Sequence, residues 1–326
     1  MKQSVHSMLR KCLFVLVITV CLYSPTYSQD DYKNTTEAGF TVGPMVFLGD
    51  LGGHAGKGTT FIKDYNFATT KLAVGAYYTA YPAQWLGFRF SLNYGRIEGD
   101  DGIIKPKGGD EETRLNRNLN FRSTILEGTV MAEFYPTVFL EDESDDVTGR
   151  LRPYGVIGLG MFHFNPQGSY HDPVTGESYW VDLKPLHTEG EGFTQYPDRK
   201  NYTLTQLNIP MGVGIKYYFS ENLNISFEII HRKTFTDYID DVSTKFVDPS
   251  LFYANLPAAQ APIAAAMANK SPLATVPGSG YGPGGKRGDP NQKDAYFTAG
   301  FKIGFRIGGG SEQRWRNSTH CPLLRF

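Results

Sequence analysis

The stretch Ala295-Tyr296-Phe297-Thr298-Ala299-Gly300-Phe301-Lys302-Ile303-Gly304-Phe305-Arg306-Ile307 alternates without a break. Ala295, Phe297, Ala299, Phe301, Ile303, Phe305 and Ile307 fall on one face of an extended chain, and Tyr296, Thr298, Gly300, Lys302, Gly304 and Arg306 on the other. A period of two is the signature of a strand with one apolar and one polar face. It is also long enough for a tilted strand to cross a bilayer, which takes roughly ten residues.

Working back along the chain, the same alternation recurs. Leu223, Ile225, Phe227 and Ile229 face away from Asn224, Ser226 and Glu228, and Leu207, Ile209, Met211, Val213 and Ile215 face away from Gln206, Asn208, Gly212 and Lys216. Strands are expected near 38–47, 70–81, 85–96, 121–135, 151–164, 203–219, 222–235 and 294–307, an even number that returns both termini to one side of a closed barrel. Periodicity alone does not separate such a barrel from a soluble sandwich. Connection lengths do: tight turns at Tyr81-Pro82-Ala83-Gln84-Trp85 and Phe219-Ser220-Glu221-Asn222, and a moderate acidic one at 141–146, alternate with long polar loops near 48–69, 97–120, 165–202 and 236–293. That sorting predicts an all-β, eight-stranded antiparallel transmembrane β-barrel with long extracellular loops and short periplasmic turns. In the last long loop, the alanine-rich run after Pro262 predicts a short helix.

On this alternation the lumen receives Arg89, Glu127, Glu133, Lys216, Glu228, Lys302 and Arg306. Small barrels fill their interior with side chains, and mixed signs let buried charges pair. A plugged lumen is expected rather than an open pore.

Composition narrows the function classes. A formal net charge of −1 offers no basic stripe for nucleic acid, while 14% aromatic residues and 36 glycines suit strands, turns and interfacial girdles. At the N-terminus, Arg10 and Lys11 precede the apolar run from Cys12 to Leu22, with small or polar residues up to Ser28. This reads as a signal peptide spanning 1–28. Acylation at Cys21 is the alternative, though Val20 stands where a small residue is wanted. The barrel then occupies 29–310 and a periplasmic tail 311–326. Cleavage removes Cys12 and Cys21 and leaves Cys321 as the only cysteine, either a free thiol or half of an intermolecular disulfide.

Chemistry-bearing patterns are weak. Gly49-Asp50-Leu51-Gly52-Gly53-His54-Ala55-Gly56-Lys57-Gly58 lacks the spacing of a phosphate loop and carries Gly58 where a Ser or Thr is required, so it reads as a surface loop. The acidic turn 141–146 and the pair Asp240-Asp241 lack the spaced ligands of a calcium site and read as solvated turns. Ser226 and Glu228 share a face, but His231 alternates to the other, and His163 has no evident partner. No catalytic residues, cofactor, metal or small-molecule substrate are expected.

Several segments resemble the PorG family of eight-stranded outer-membrane proteins associated with the type IX secretion system. They are Gly49-Asp50-Leu51-Gly52-Gly53, Phe61-Ile62-Lys63-Asp64, Ser91-Leu92-Asn93-Tyr94-Gly95-Arg96, Arg117-Asn118-Leu119-Asn120-Phe121-Arg122, Phe162-His163-Phe164-Asn165-Pro166, the run from His231 to Thr244, and Arg287-Gly288-Asp289-Pro290. The resemblance implies a non-catalytic barrel in the outer membrane, anchoring a periplasmic ring built around a lipoprotein. The end of the chain, Cys321-Pro322-Leu323-Leu324-Arg325-Phe326, is similar to the family's Cys-Pro-basic-aromatic tail, with two leucines inserted. Docking is then expected through Arg314, Arg316, Cys321, Pro322, Arg325 and Phe326, with Cys321 forming the cross-link. The alternative is a general outer-membrane barrel, adhesive or membrane-stabilising through its long outer loops.

Overall fold

The computed structural model describes residues 35–51, 69–105, 109, 111–140, 150–220 and 222–307. Eight antiparallel strands close on themselves: β1 (Thr35–Leu48), β2 (Lys71–Ala83), β3 (Leu86–Asp100), β4 (Asn120–Phe134), β5 (Leu151–His163), β8 (Thr205–Tyr218), β9 (Leu223–Thr234) and β10 (Ala295–Ile307). Each pairs with its neighbour around the ring, and β10 returns to β1 with Phe40 opposite Ile303 and Thr36 opposite Ile307. No edge is left in the ring, so each wall strand pairs with a neighbour on both sides. All eight expected strands are present. Between β5 and β8 the sequence predicts only a loop, but the chain forms a hairpin, β6 (Pro166–His171) and β7 (Ser178–Asp182), that extends β4 beyond the wall.

The exterior carries the apolar face of every strand. Phe40, Val74, Phe90, Val130, Leu159, Val213, Ile229 and Phe301 mark one circuit, with Leu159 71% and Phe40 67% exposed. Outward residues are apolar for about ten positions along each strand, and roughly ten residues of tilted strand match the hydrocarbon core of a bilayer. A soluble fold of this size would bury such a surface. At the short-turn end Trp85 meets Phe134 edge-on and Phe139 at a tilt, each at 6.0 Å between ring centroids, an aromatic anchor of the kind found at membrane interfaces. No helix among the described residues is long and apolar enough to cross a membrane.

Inside, the contents change with height. The short-turn end and middle hold charged and tyrosine side chains. Towards the long-loop end Met45, Phe47, Ala73, Ile97, Phe121, Ile125, Phe162, Phe164 and Tyr296 form an apolar plug that continues into Leu51, Leu119, Ile239 and Val242 of the loops. The described parts of the long loops pack over this plug as a cap. It contains the helix Glu111–Arg117, the hairpin β6–β7, and the helices Ser250–Asn255 and Ala261–Ala268. The last is the helix expected after Pro262. Its buried Ala261, Ala264, Met267 and Ala268 join Phe252, Leu183, Leu186 and Phe193 in a second apolar cluster.

Candidate functional site

The lumen lattice begins with parity. Strands β1, β3, β4, β8, β9 and β10 each turn one or more ionisable residues inward, and the barrel is narrow enough for them to meet across it. Four carboxylates, Glu37, Glu127, Glu133 and Glu228, meet four cations, Arg89, Lys216, Arg232 and Lys302, all of them buried. Arg89 Nη1 lies 2.8 Å from Glu228 Oε2, and its Nε stands 3.1 Å from Glu133 Oε1, a charge contact off the line of the N–H. Lys302 Nζ completes that square at 3.3 Å from Glu133 and 3.5 Å from Glu228. Lys216 lies 3.1 Å from Glu37, and Arg232 lies 3.2 Å from Glu127.

Tyrosine and asparagine occupy the remaining acceptor positions. Tyr77 donates to Glu37 at 2.7 Å, Tyr154 to Glu228 at 2.8 Å, Tyr296 to Glu127 at 3.0 Å, and Tyr135 to Glu133. Asn208 and Asn224 donate to Glu127 and Glu37 at 2.7 and 2.9 Å. Gly304 leaves the room this needs, since a Cβ there would stand 2.5 Å from both the Tyr77 hydroxyl and Glu37 Oε1. A balanced, hydrogen-bonded set is the condition under which ions persist away from water. With Arg89, Lys216 and Lys302 at 1% exposure or less, the lumen is filled.

Six of the seven lumen residues expected from sequence take part in this lattice. Arg306 also faces inward, but sits half-buried at the short-turn mouth, its guanidinium 4.9 Å over the Tyr218 ring, with no ion pair among the described residues. Glu37 and Arg232 are members that sequence reading missed. Both were readable, because Glu37 shares its face with Gly39 and Thr41, and Arg232 shares its own with Glu228 and Ser226.

The cap is built on a second network. Arg117 donates to both oxygens of Asp101, at 2.8 and 3.0 Å, and to the backbone carbonyls of Asp50 (2.6 Å) and Arg287 (2.7 Å). Arg287 in turn holds Glu189 at 2.9 Å, lies 3.8 Å from Asp241, and donates to the carbonyls of Ala268 and Asp241. The carboxylates mostly receive backbone amides: Asp240 takes Leu51 and Val242, both at 3.0 Å, Asp294 takes Ile239 at 2.8 Å, Asp50 takes Asp289 at 2.6 Å, and Glu189 takes Ser243 and Thr244. Each stands in for a missing strand partner and orders irregular chain.

Asp240 and Asp241 are therefore not a solvated turn. Both are fully buried, Asp241 at a left-handed φ of 64°, and the partners that bury them come from distant loops. Likewise Asp50 and Leu51 are fixed in the cap rather than in a free surface loop; the rest of that loop, 52–60, lies outside the described residues, as do the acidic turn 141–146, the signal segment and the tail with Arg314, Arg316, Cys321, Pro322, Arg325 and Phe326.

Burial, with like charges close by, raises the proton affinity of several cap carboxylates. Burial, reinforced by Asp241 and Glu189, pushes Glu191 up to about 8. Burial and Asp50 raise Asp237 to about 7 against a hydrogen bond from Ser243. Asp241 rises to about 6 because burial outweighs Arg287 and the hydroxyls of Thr188 and Tyr202. No group of three His, Cys, Asp or Glu among the described residues is arranged to hold a metal ion. His163 is on the exterior, 3.1 Å from Thr205. Ser226 and His231 occupy opposite faces of β9, as their alternation requires.

No protein-family model and no curated protein matches the sequence. Among solved structures, the chain is similar to Ail, the attachment invasion locus protein of Yersinia pestis, at 9% identity and a TM-score of 0.33, covering 83% of this chain and 99% of that one. It is similar to the N-terminal β-barrel domain of Pseudomonas aeruginosa OprF at 9% identity and a TM-score of 0.30, covering 84% and 100%. A major outer membrane protein of Thermus thermophilus aligns at 12% identity and a TM-score of 0.36, covering 84% and 99%. The barrel itself stands on the ring of strand pairings and the apolar belt described above.

Proposed function

We propose that this chain is a sealed outer-membrane barrel that works through the surfaces at its two ends and carries nothing through its lumen. The observation that carries this is the filled interior, where paired charges sit beneath an apolar plug and a folded cap. On this reading the long loops face outward, and the cap serves attachment to other surfaces or stabilisation of the membrane. One altered strain, compared with the wild type, tests it. Replacing the hairpin 167–182 by a short glycine turn should impair cell attachment or raise detergent sensitivity while the barrel still inserts. If both properties are unchanged, the cap is not the working surface.

In planar bilayers the purified protein is expected to show no steady open-channel current between 0 and about 100 mV, since no continuous water path crosses such a lumen. A stable ohmic conductance would overturn the sealed reading.

A second reading is favoured by the sequence segments similar to the PorG family: anchoring of the periplasmic lipoprotein ring of the type IX secretion machinery through the tail 311–326. Purification from native outer membranes in mild detergent, with and without reductant, tests it. A periplasmic lipoprotein should accompany the barrel, and the Cys321→Ser variant should lose any high-mass band seen on non-reducing gels. A barrel recovered alone, under conditions that keep the secretion complex whole, removes the anchor role.

A further inference from the structure

Among the described residues the sheet has one unpaired side. The ring closes, but the hairpin that grows from β4 ends at β7, and no described strand follows β7 in the sheet order. Its hydrogen-bond phase is fixed at both ends: Leu183 N donates to Pro166 O at 2.9 Å and Asp172 N to Glu177 O at 2.9 Å. With Gln167 opposite Asp182 and Ser169 opposite Trp180, antiparallel alternation turns the amides and carbonyls of Tyr179 and Val181 toward β6. Those of Ser178, Trp180 and Asp182 point off the edge. Ser178, Tyr179, Trp180 and Asp182 are all exposed.

The edge is held rigid from behind. Arg122 packs its guanidinium 4.3 Å from the Trp180 ring and donates to Gln167 at 2.9 Å, while Tyr170 meets Tyr179 edge-on at 5.5 Å. The edge Ser178-Tyr179-Trp180-Val181-Asp182 is short and ends on a charge, but it carries no proline, lysine or bulge that would block an added strand. Its ends are acidic, with Glu177 on one side and Asp182 on the other, and neither enters an ion pair among the described residues.

We propose that the free edge of β7 receives an extended segment of a partner protein as an added strand, with β-branched side chains beside Tyr179 and Trp180 and a basic residue near Glu177 or Asp182. Strand addition draws its affinity from main-chain hydrogen bonds and its selectivity from alternate side chains. This names the partner class for the attachment reading and rests on it for the direction in which the cap faces.

The test uses the full-length protein in detergent and a fluorescein-labelled six-residue peptide, lysine at each end with valine, isoleucine, threonine and a second valine between, followed by anisotropy. Saturable binding is expected. Trp180→Pro removes an amide that points away from β6, so the hairpin keeps its own bonds and peptide affinity falls about tenfold or more. Glu177→Lys weakens binding several-fold, and Trp180→Phe retains it. The same peptide N-methylated at alternate residues should not bind, which keeps the test independent of how the variants fold. Equal binding of the N-methylated peptide, indifference to Trp180→Pro, or no saturation into the millimolar range would overturn the proposal. So would Trp180→Cys barrels that cross-link to each other in proteoliposomes and exclude the peptide, which would give the edge to a second copy. On intact cells, binding seen in detergent but absent outside would sink the outward orientation and leave the strand-addition site standing.

Discussion

Arg89→Met unfolds the barrel at markedly lower urea concentration, by about 3–5 kcal/mol, the usual cost of removing one partner from a buried ion pair. The guanidinium serves two carboxylates at once, Glu228 at 2.8 Å and Glu133 at 3.1 Å. Without it, Lys302 alone answers both, at 3.3 and 3.5 Å, and the lumen carries one uncompensated negative charge. Tyr135 and Tyr154 still donate to the same carboxylates, which limits the loss without neutralising it. The control is the double variant Arg89→Met with Glu228→Gln, which restores the charge balance and should recover a large part of the stability. Heat-modifiable migration on gels and urea unfolding in lipid vesicles read both variants. If Arg89→Met is as stable as wild type, the lattice is not what fills and fixes the lumen.

That lattice shows what alternation can and cannot deliver. A strand's parity assigns a residue to the inside from local sequence alone, so Arg89, Lys216 and Lys302 were legible as lumen residues. Which carboxylate each would meet was not, because Lys216 reaches Glu37 from β8 to β1, far apart in the chain. Arg306 illustrates the other limit: its parity is inward, but height along the barrel decides whether it joins the lattice or lies over Tyr218 at the mouth. The exterior belt was legible for the same reason as the lumen, being the opposite parity.

The cap was the part hidden from sequence. Its order rests on side chains bonded to distant backbone, as when Asp240 receives Leu51 N or Arg117 reaches Arg287 O. Such bonds leave no periodic trace, so Asp240 and Asp241 looked like any acidic turn. Together, Asp50 and Leu51, Arg117, the run Asp240 to Thr244 and Arg287 prove to be members of one network. Hairpin β6–β7 was missed for a plainer reason, since Gly168, Asp172, Pro173 and Gly176 give it the composition of a loop.

Arg287→Gln should release the cap while leaving the ring of strands intact. The buried guanidinium neutralises Glu189 and Asp241 and satisfies the carbonyls of Ala268 and Asp241, and glutamine cannot supply the charge. A local cost of about 3–5 kcal/mol is expected, read as faster hydrogen exchange at Val242, Ser243 and Thr244 after correction for intrinsic rates, with strand amides unchanged. In the wild type the same amides report the proton dependence of the cap. Glu191, Asp237 and Asp241 bind protons more tightly folded than unfolded, with values of about 8, 7 and 6. A carboxyl raised by folding contributes stability that is complete below its unfolded value, near 4, and is lost as pH climbs through its folded value. Protection should therefore fall between about pH 5 and 8.5, with Glu191 contributing on the order of a few kcal/mol of it. Glu191 faces Glu189, Asp241 and Arg287, so removing the arginine strengthens the repulsion, and Arg287→Gln should lose protection at lower pH than the wild type. Glu191→Gln should do the opposite and flatten the upper part of the profile. A cap whose exchange is unchanged across this range would mean that cations or water neutralise the carboxylates instead of protons. An Arg287→Gln cap that exchanges like the wild type would mean that backbone acceptor bonds alone hold it closed.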